Sequence, residues 1–430
     1  MISKFVYLLG TQIRNKEIFN KYKFLKSSES WEIDDLKSHQ YKKAKELITW
    51  AYEHSTFYRE LFNEHNVTPE DLKSLEDIKL FPTITKQHLV SNNDEILIKN
   101  EFNKLFFSET SGSSGQVLTF YRNKEWDAAH RAAMFRGYSW YGVMPWDRNG
   151  YFWGYNIDRK KQKKVKFLDF LQNRFRIFSF KEEDVREFAK KLEKADYVEG
   201  YSTMIYEVAK LINKKKLNNN FNLKMVKGTS EKIYDKYQEE AKRAFGQKII
   251  SEYGAAEAGI IAFECPHGHM HITMENMIVE EIDGEAVITN LESKSFPIIR
   301  YRIGDYISID TSTQCSCGMK HPIIKDILGR TGKSIYGHKD SYPSFVLYYM
   351  FKNIALEHDI NLTYQAIQQV KGQLNINVEE KISDYERNLI EKEANKYFGD
   401  DMDYSIQDQM VRVNYKQKVR DFISEVQDEE

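Results

Sequence analysis

The chain has 430 residues, enough for a large core and two or three domains. Its 63 Lys and Arg against 64 Asp and Glu leave a net charge of −1, which gives no sign of bulk attraction to nucleic acid or to an anionic membrane. Cys265, Cys315 and Cys317 are the only cysteines, an odd number with a Cys-x-Cys pair, which argues against a disulfide framework and for a reduced, cytoplasmic setting.

Residues 1–90 read as helices. Phe5-Val6-Tyr7-Leu8-Leu9 is too short for a secretory core or a membrane span and reads as the apolar face of a first helix, able to rest on a partner or a membrane surface. Leu47, Trp50, Tyr52, Tyr58, Leu61 and Phe62 form an amphipathic stretch that breaks at Asn66-Val67-Thr68-Pro69, and Phe81-Pro82-Thr83-Ile84-Thr85-Lys86 turns into another helix. Next, Thr110-Ser111-Gly112-Ser113-Ser114-Gly115-Gln116 stands between two strand-like runs, Leu105-Phe106-Phe107 and Val117-Leu118-Thr119-Phe120-Tyr121. With no bulky side chains, the backbone N–H groups of such a turn can converge on an anion, and polyphosphate is the natural guest; a plain Ser/Gly hairpin loop is the alternative. A helix rich in aromatic residues and alanine follows, from Trp126 to Tyr141.

From 150 to 310 helix-like and strand-like runs alternate, which predicts an α/β layered fold. Tyr197–Tyr201 is a strand end and Tyr206–Leu217 a helix. Met225–Glu231 runs from a buried strand into a helix start, with Ser230 as cap and Glu231 as first-turn acid. Lys248–Gly254 repeats the strand-to-turn pattern, and Tyr301-Arg302-Ile303-Gly304-Asp305 reads as a strand end. Gly329-Arg330-Thr331-Gly332-Lys333 is a polar connector, beyond which a small α+β domain holds a helix over Asp384–Phe398 and a last strand over Tyr404–Val413. The expected division is a domain over 1–330, with a helical start over 1–90, and a small mobile domain over 331–430. Gly332-Lys333-Ser334 is not the end of a Walker motif, because the required earlier glycine would fall at Ile327.

The Ser/Gly loop, Tyr253-Gly254-Ala255-Ala256-Glu257, Tyr301–Asp305, Gly329-Arg330 and the tail lysine Lys418, in this order, resemble the adenylate-forming (AMP-binding) enzymes, and most closely the phenylacetate–CoA ligase branch with its CapK-like proteins of capsular polysaccharide synthesis. The resemblance covers nearly the whole chain. It implies that a carboxylate attacks the α-phosphorus of ATP, pyrophosphate leaves, and an acyl-adenylate forms before a second nucleophile takes the acyl group. On that resemblance Thr110, Ser111, Gly112, Ser113, Ser114 and Gly115 would wrap the departing phosphates, and Glu257 would hold Mg²⁺. Asp305 would bind the ribose hydroxyls with Arg330 nearby, and Ser230, Glu231, Glu252, Tyr253 and Gly254 would complete the nucleotide site. Tyr201, Gly254 and Ala255 would face the acid. Lys418 would neutralise charge at the α-phosphate, brought in by a domain that rotates on the connector. Two departures stand out. Ala256 occupies a position where the family carries a hydroxyl, and the tail around Lys418 is irregular, leaving Lys416 as a substitute.

Cys265-Pro266-His267-Gly268-His269-Met270-His271 and Cys315-Ser316-Cys317 together offer three thiolates and three imidazoles, a donor set for a closed, structural Zn²⁺ site over the 265–317 segment; three reduced thiols with surface histidines is the alternative. Some members of the resembled branch carry such a site with a histidine at the position of His271. The expected activity is an ATP-dependent ligase with CoA as default acceptor. The alternatives are transfer to an amine or sugar acceptor, with a uronic acid among the candidate acids, and a non-catalytic nucleotide-binding scaffold. Tyr138, Trp140, Trp153, Tyr155 and Tyr201 either line the acyl pocket or pack in the core. A cytoplasmic homodimer that binds no nucleic acid completes the expectation.

Overall fold

The computed structural model describes residues 2–110, 118–152, 159–177, 182–217, 220–230, 233, 235–330, 334–343, 345–360, 362, 364–378, 380–409, 422–424 and 426. It divides into two compact units, one of Met1–Thr110, Leu118–Phe178 and Glu182–Gly329, the other containing Arg330–Glu430. No helix among the described residues is long and apolar enough to cross a membrane.

The first unit opens with six helices: α1 (Ile2–Asn15), α2 (Glu17–Ser27), α3 (Ile33–His54), α4 (Thr56–Glu64), α5 (Lys86–Ser91) and α6 (Asn93–Ile96). Along α3 the buried residues Leu36, Gln40, Ala44, Leu47, Ile48 and Ala51 recur at three- and four-residue steps and make one face. Burying each large aliphatic side chain there contributes about 1.5–3 kcal/mol. The hairpin β1 (Phe106–Glu109) and β2 (Thr119–Arg122) pairs antiparallel, Phe106 opposite Arg122 and Glu109 opposite Thr119. After it runs α7 (Lys124–Trp140), whose small residues let it lie close to the sheet: a side chain at Gly137 would sit 2.5 Å from the Phe263 ring.

The alternating region comprises β3 (Asn149–Phe152), α8 (Arg159–Leu171), β4 (Arg174–Arg176), α9 (Glu182–Leu192), β5 (Tyr197–Tyr201), α10 (Ser202–Lys214), β6 (Met225–Thr229), α11 (Asp235–Phe245) and β7 (Ile249–Ala255). Then come β8 (Gly259–Glu264), β9 (Met270–Ile272), β10 (Met277–Ile282), β11 (Glu285–Asn290), β12 (Tyr301–Asp310) and β13 (Ile323–Arg330). Among the described residues these form an 11-stranded sheet in the order β10-β11-β12-β13-β9-β8-β7-β6-β5-β3-β4. From β4 to β7 neighbouring strands are parallel, each joined through a helix. From β7 to β9 neighbours are antiparallel.

Four local expectations are corrected. Ser230 does not cap a helix: it has the left-handed φ of 67° rather than the extended backbone of a cap, and α11 begins only at Asp235. Glu231 lies outside the described residues. Lys248–Gly254 does not end in a turn, because β7 runs through Gly254 to Ala255 and pairs with β8. The two backbones approach so closely that a Cβ at Gly254 would stand 2.4 Å from the Gly259 carbonyl oxygen. Tyr301–Asp305 begins β12 rather than ending a strand, and Gly329 and Arg330 end β13 rather than starting a connector.

The second unit holds β14 (Ser334–Tyr336), β15 (Ser341–Pro343), α12 (Phe345–His358), β16 (Tyr364–Gln368), β17 (Gln373–Val378), α13 (Asp384–Phe398), β18 (Asp403–Gln407) and β19 (Phe422–Ser424). Its four-stranded sheet, ordered β18-β17-β16-β19, packs Ala366, Leu374 and Ile376 against Leu347, Met350, Ile354 and Ile390. A capping box starts α13: the Ser383 hydroxyl accepts from the Glu386 backbone N–H, and the Glu386 carboxylate accepts from the Ser383 N–H at 2.7 Å.

Candidate functional site

The β7–β8 turn carries Ala255-Ala256-Glu257. Glu257 is buried and accepts a hydrogen bond from the Tyr301 hydroxyl at 3.0 Å. Tyr253 donates its hydroxyl to Asp305 Oδ2, also at 3.0 Å, so two tyrosines orient the two carboxylates that the sequence singled out. Arg122, at the end of β2, donates through Nη2 to the Ala256 carbonyl at 2.6 Å and lies over the Phe120 and Trp126 rings. Burial pushes this guanidinium down to about 10, with Asp127 and Glu257 acting in the opposite direction, so it stays charged at neutral pH. Arg122 thus fixes the turn that presents Glu257. No sequence motif marked it, since the contact spans 134 residues.

Thr110 closes the β1–β2 hairpin where the Ser/Gly loop leaves it. Its hydroxyl accepts from the Leu118 N–H at 2.9 Å and from Lys86 Nζ at 3.4 Å. Ser111, Gly112, Ser113, Ser114 and Gly115 lie outside the described residues, as do Trp153, Tyr155, Lys416 and Lys418, and so does the side chain of Arg330.

A polar layer underlies the carboxyl ends of β5, β6 and β7. Strand register sets Glu199 beside Lys227, and, one step further toward those ends, Tyr201 beside Thr229 and Thr229 beside Glu252. The buried Lys227 ammonium reaches Glu252 at 2.9 Å and Glu199 at 3.3 Å, and Glu252 also accepts from the Thr229 hydroxyl at 3.1 Å. Burial works against the Lys227 charge, but Glu252 and Glu199 outweigh it and leave its pKa above the ordinary lysine value. Tyr138 is fully buried and donates its hydroxyl to Glu199. Also on α7, His130 has a buried Nδ1 with no hydrogen-bond partner among the described residues, and burial holds its pKa well below the ordinary histidine value. Trp140 faces elsewhere: it donates Nε1–H to Glu29 and packs beside Cys265, Cys315 and Cys317.

Those three cysteines and His271 converge. Their ligand atoms all lie within 4.8 Å of one another, and no disulfide joins them. Cys265 Sγ is 3.6 Å from Cys315 Sγ, and Cys317 Sγ is 3.2 Å from His271 Nε2. A tetrahedron with metal–sulfur bonds of 2.3 Å has edges of about 3.8 Å, whereas a disulfide is about 2.05 Å long. The two Cys-bearing loops are tight turns closed at Gly268 and Gly318, whose φ values of 82° and 89° favour glycine. Of the three candidate imidazoles only His271 is buried within the cluster. Its Nδ1–H donates to the His321 carbonyl at 3.1 Å, which leaves the Nε2 lone pair facing the thiols. His269 Nδ1 stands 3.2 Å from Cys315 Sγ at the rim, and His267 turns away to Ser316. Burial, reinforced by the neighbouring thiols, pushes Cys317 up to about 12, a cost that a divalent cation removes.

Sequence reasoning also missed the support beneath this cluster. His321 Nε2 lies 3.0 Å from Glu275 Oε1, which also receives Arg136 Nη1 at 2.6 Å and the Ser28 hydroxyl at 2.5 Å. All four residues are buried. Burial alone would raise the Glu275 pKa, but Arg136 and His321 hold it well below the usual carboxylate range.

The fold and the sequence each have relatives among known proteins. The fold matches 2-hydroxyisobutyryl-CoA ligase in the postadenylation state with 2-HIB-AMP, over 92% of this chain and 91% of that one, with a TM-score of 0.62 and 17% identity. The same ligase with 2-HIB-AMP and CoA in its thioesterification state also gives a TM-score of 0.62, at 18% identity and the same coverage. This chain shares the architecture of that ligase. More particularly, the sequence is 25% identical over 327 residues to Protein CapK of Staphylococcus aureus, covering 73% of this chain and 72% of that protein. A 64-residue stretch, 15% of each chain, is 36% identical to phenylacetate-coenzyme A ligase of Escherichia coli strain K12. No family model matches the chain.

Proposed function

We propose that this protein is an AMP-forming ligase that activates a carboxylic acid as its acyl-adenylate and then transfers the acyl group, with CoA as the default acceptor. The observation that carries this reading is the fold match, across nine-tenths of the chain, to a ligase captured with an acyl-adenylate and with CoA. The chain's own residues fit the chemistry. The acid's carboxylate oxygen attacks the α-phosphorus, the bond to the bridging oxygen breaks, and pyrophosphate carries that electron pair away. Thr110 and the loop Ser111–Gly115 receive the departing phosphates, Lys418 neutralises charge at the α-phosphate, and Asp305, oriented by Tyr253, accepts from the ribose hydroxyls. Glu257 would hold Mg²⁺ through one hard carboxylate oxygen, and the ion would supply neutralisation of phosphate charge. At the position of the missing Ala256 hydroxyl, Arg122 holds the backbone carbonyl and keeps the turn in place.

The donor set Cys265, His271, Cys315 and Cys317 fits Zn²⁺ in charge, softness and spacing. Four protein ligands leave no open position, so the ion would be structural, tying the β8–β9 turn to the segment before β13.

A second reading concerns the acid and the acceptor. Glu199, Lys227, Glu252 and Tyr138 form a polar layer in which Glu199 precedes Tyr201 by two residues on β5. A polar layer supports a hydroxyl- or amine-bearing acid over an alkyl or aryl one, and with it the CapK-like alternative of transfer to an amine or sugar acceptor. Carboxylate-dependent ATP–pyrophosphate exchange across aryl, short acyl, amino and uronic acids tests both readings, with Lys418→Ala and Glu257→Ala as controls. Exchange that survives in both variants, or is absent with every acid, overturns the ligase reading. Exchange with aryl acids alone removes the second reading.

A further inference from the structure

We propose that the face formed by α1 and α8 binds the surface of an anionic lipid bilayer. The two helices pack against each other and present large apolar side chains to solvent. On α1, Phe5, Leu9 and Ile13 follow at i, i+4 and i+8, one stripe, with Phe5 68% and Ile13 74% exposed. On α8, Phe167 is 61% and Phe170 75% exposed. Scattered single apolar residues on a surface need no explanation, but these five stand on two helices that touch each other.

The stripe is not the product of a loosely seated helix. The opposite side of α1 is anchored: Tyr7 packs edge-on against Trp146 and tilted against Phe135, and Arg14 pairs with the buried Asp127 at 2.8 Å. α8 is pinned by its buried Asp169, which receives Arg174 at 2.5 Å and Arg176 at 2.6 Å. Both helices therefore hold their apolar residues outward in the folded state.

Charge identifies the occupant. Within the basic run that opens α8, Lys163, Lys164 and Lys166 are exposed, and α1 carries Lys4 with no acidic residue. Lys163 and Lys166 stand one turn before Phe167 and Phe170, so two exposed cations and two exposed phenylalanines share one helix face. On a chain of net charge −1 this is a strong local excess of positive charge. A second copy of the chain would bring the same cations against these and be repelled. Anionic headgroups attract the exposed cations while the aromatic rings enter the acyl boundary, the arrangement of an interfacial amphipathic helix rather than a spanning one.

Vesicle co-sedimentation of the full chain tests this, with phosphatidylcholine alone and phosphatidylcholine mixed with phosphatidylglycerol. Binding to the mixed vesicles and not to phosphatidylcholine alone is expected, weakening as salt is raised. Each basic residue near an anionic surface strengthens binding about fivefold, so Lys163→Ala with Lys166→Ala should weaken it by roughly twenty-five-fold. Phe167→Ser with Phe170→Ser should weaken it about tenfold or more. These sites are exposed, and unchanged thermal melts would show that the variants fold. Absence of phosphatidylglycerol-dependent binding at low salt overturns the proposal, as does equal binding to both vesicles. Concentration-dependent dimerisation lost in the Phe variants, without vesicle binding, overturns it in favour of a contact between copies.

Discussion

Removing the Glu275 carboxylate tests whether the buried ionic cluster holds the thiol site in place. In Glu275→Ala, Arg136, itself only 2% exposed, loses its partner inside the protein, and His321 loses the acceptor of its Nε2–H. An uncompensated buried charge of this kind costs about 3–5 kcal/mol. For a unit of roughly 320 residues unfolding at ~0.7 kcal/mol/K, that is a loss of about 4–7 °C in Tm. Because the His321 carbonyl fixes the His271 tautomer, zinc affinity should also fall by about 10–100-fold, the usual cost of losing support behind a metal ligand. Thermal melts and zinc content by mass spectrometry after dialysis against a graded chelator read the two effects. The double replacement Arg136→Met with Glu275→Leu should recover most of the stability, because it removes both charges and keeps the volume. The pH dependence has a definite sign. With its folded pKa depressed, Glu275 contributes stability that is fully present above its unfolded value of about 4.3 and is lost as pH falls through the lower folded value. If the double variant is as unstable as Glu275→Ala, the loss comes from packing and the charge argument is wrong.

Three further outcomes follow from the same geometry. His271→Ala and Cys317→Ala should each lower bound zinc from about one ion per chain to near zero, while His267→Ala, whose ring turns away to Ser316, should leave it unchanged; metal analysis of the purified chains decides. His130 is buried with a depressed pKa, so its unfolded form takes up a proton first and stability should drop as pH falls below about 6.5, by up to ~1.4 kcal/mol per pH unit; urea titrations at stepped pH should show that slope flattened in His130→Gln. Arg122→Lys cannot keep both the ring stacking and the contact to Ala256, and loss of that charged hydrogen bond, about 1.5–3 kcal/mol, should lower kcat/KM in pyrophosphate exchange by roughly 10–100-fold with ATP binding retained.

Alternation of helix- and strand-like runs was enough to read the α/β layering, because each crossover from β3 to β7 is local in sequence. The points where reading failed are those where a distant strand decides. Tyr253-Gly254 looks like a terminating turn until β8 is in place to extend it as a hairpin, and Tyr301 looks like a strand end until β12 finds β11. The thiol cluster was readable as donor types, since zinc chemistry accepts few residues. The choice of His271 among three imidazoles came from the family resemblance and not from the residues themselves, because it depends on which ring the His321 carbonyl orients. Arg122 and Arg136 were invisible for the same reason: each acts on a residue more than 130 positions away.

Net charge shows the limit most plainly. A chain total of −1 argues against attraction to an anionic surface, and for a uniformly mixed surface that argument would hold. Screening changes it. At physiological ionic strength charges farther apart than about 8 Å barely interact, so a bilayer in contact with α8 experiences Lys163, Lys164 and Lys166, the last partly offset by Glu187, and not the acidic residues on remote parts of the chain. What matters is charge within one Debye length of the exposed phenylalanines. That quantity depends on packing: Asp169 is in the same helix and opposite in sign, yet it is turned inward and neutralised by Arg174 and Arg176. Folding thus separates the helix into a buried paired acid and an exposed basic, aromatic face, and no average over the sequence preserves that distinction.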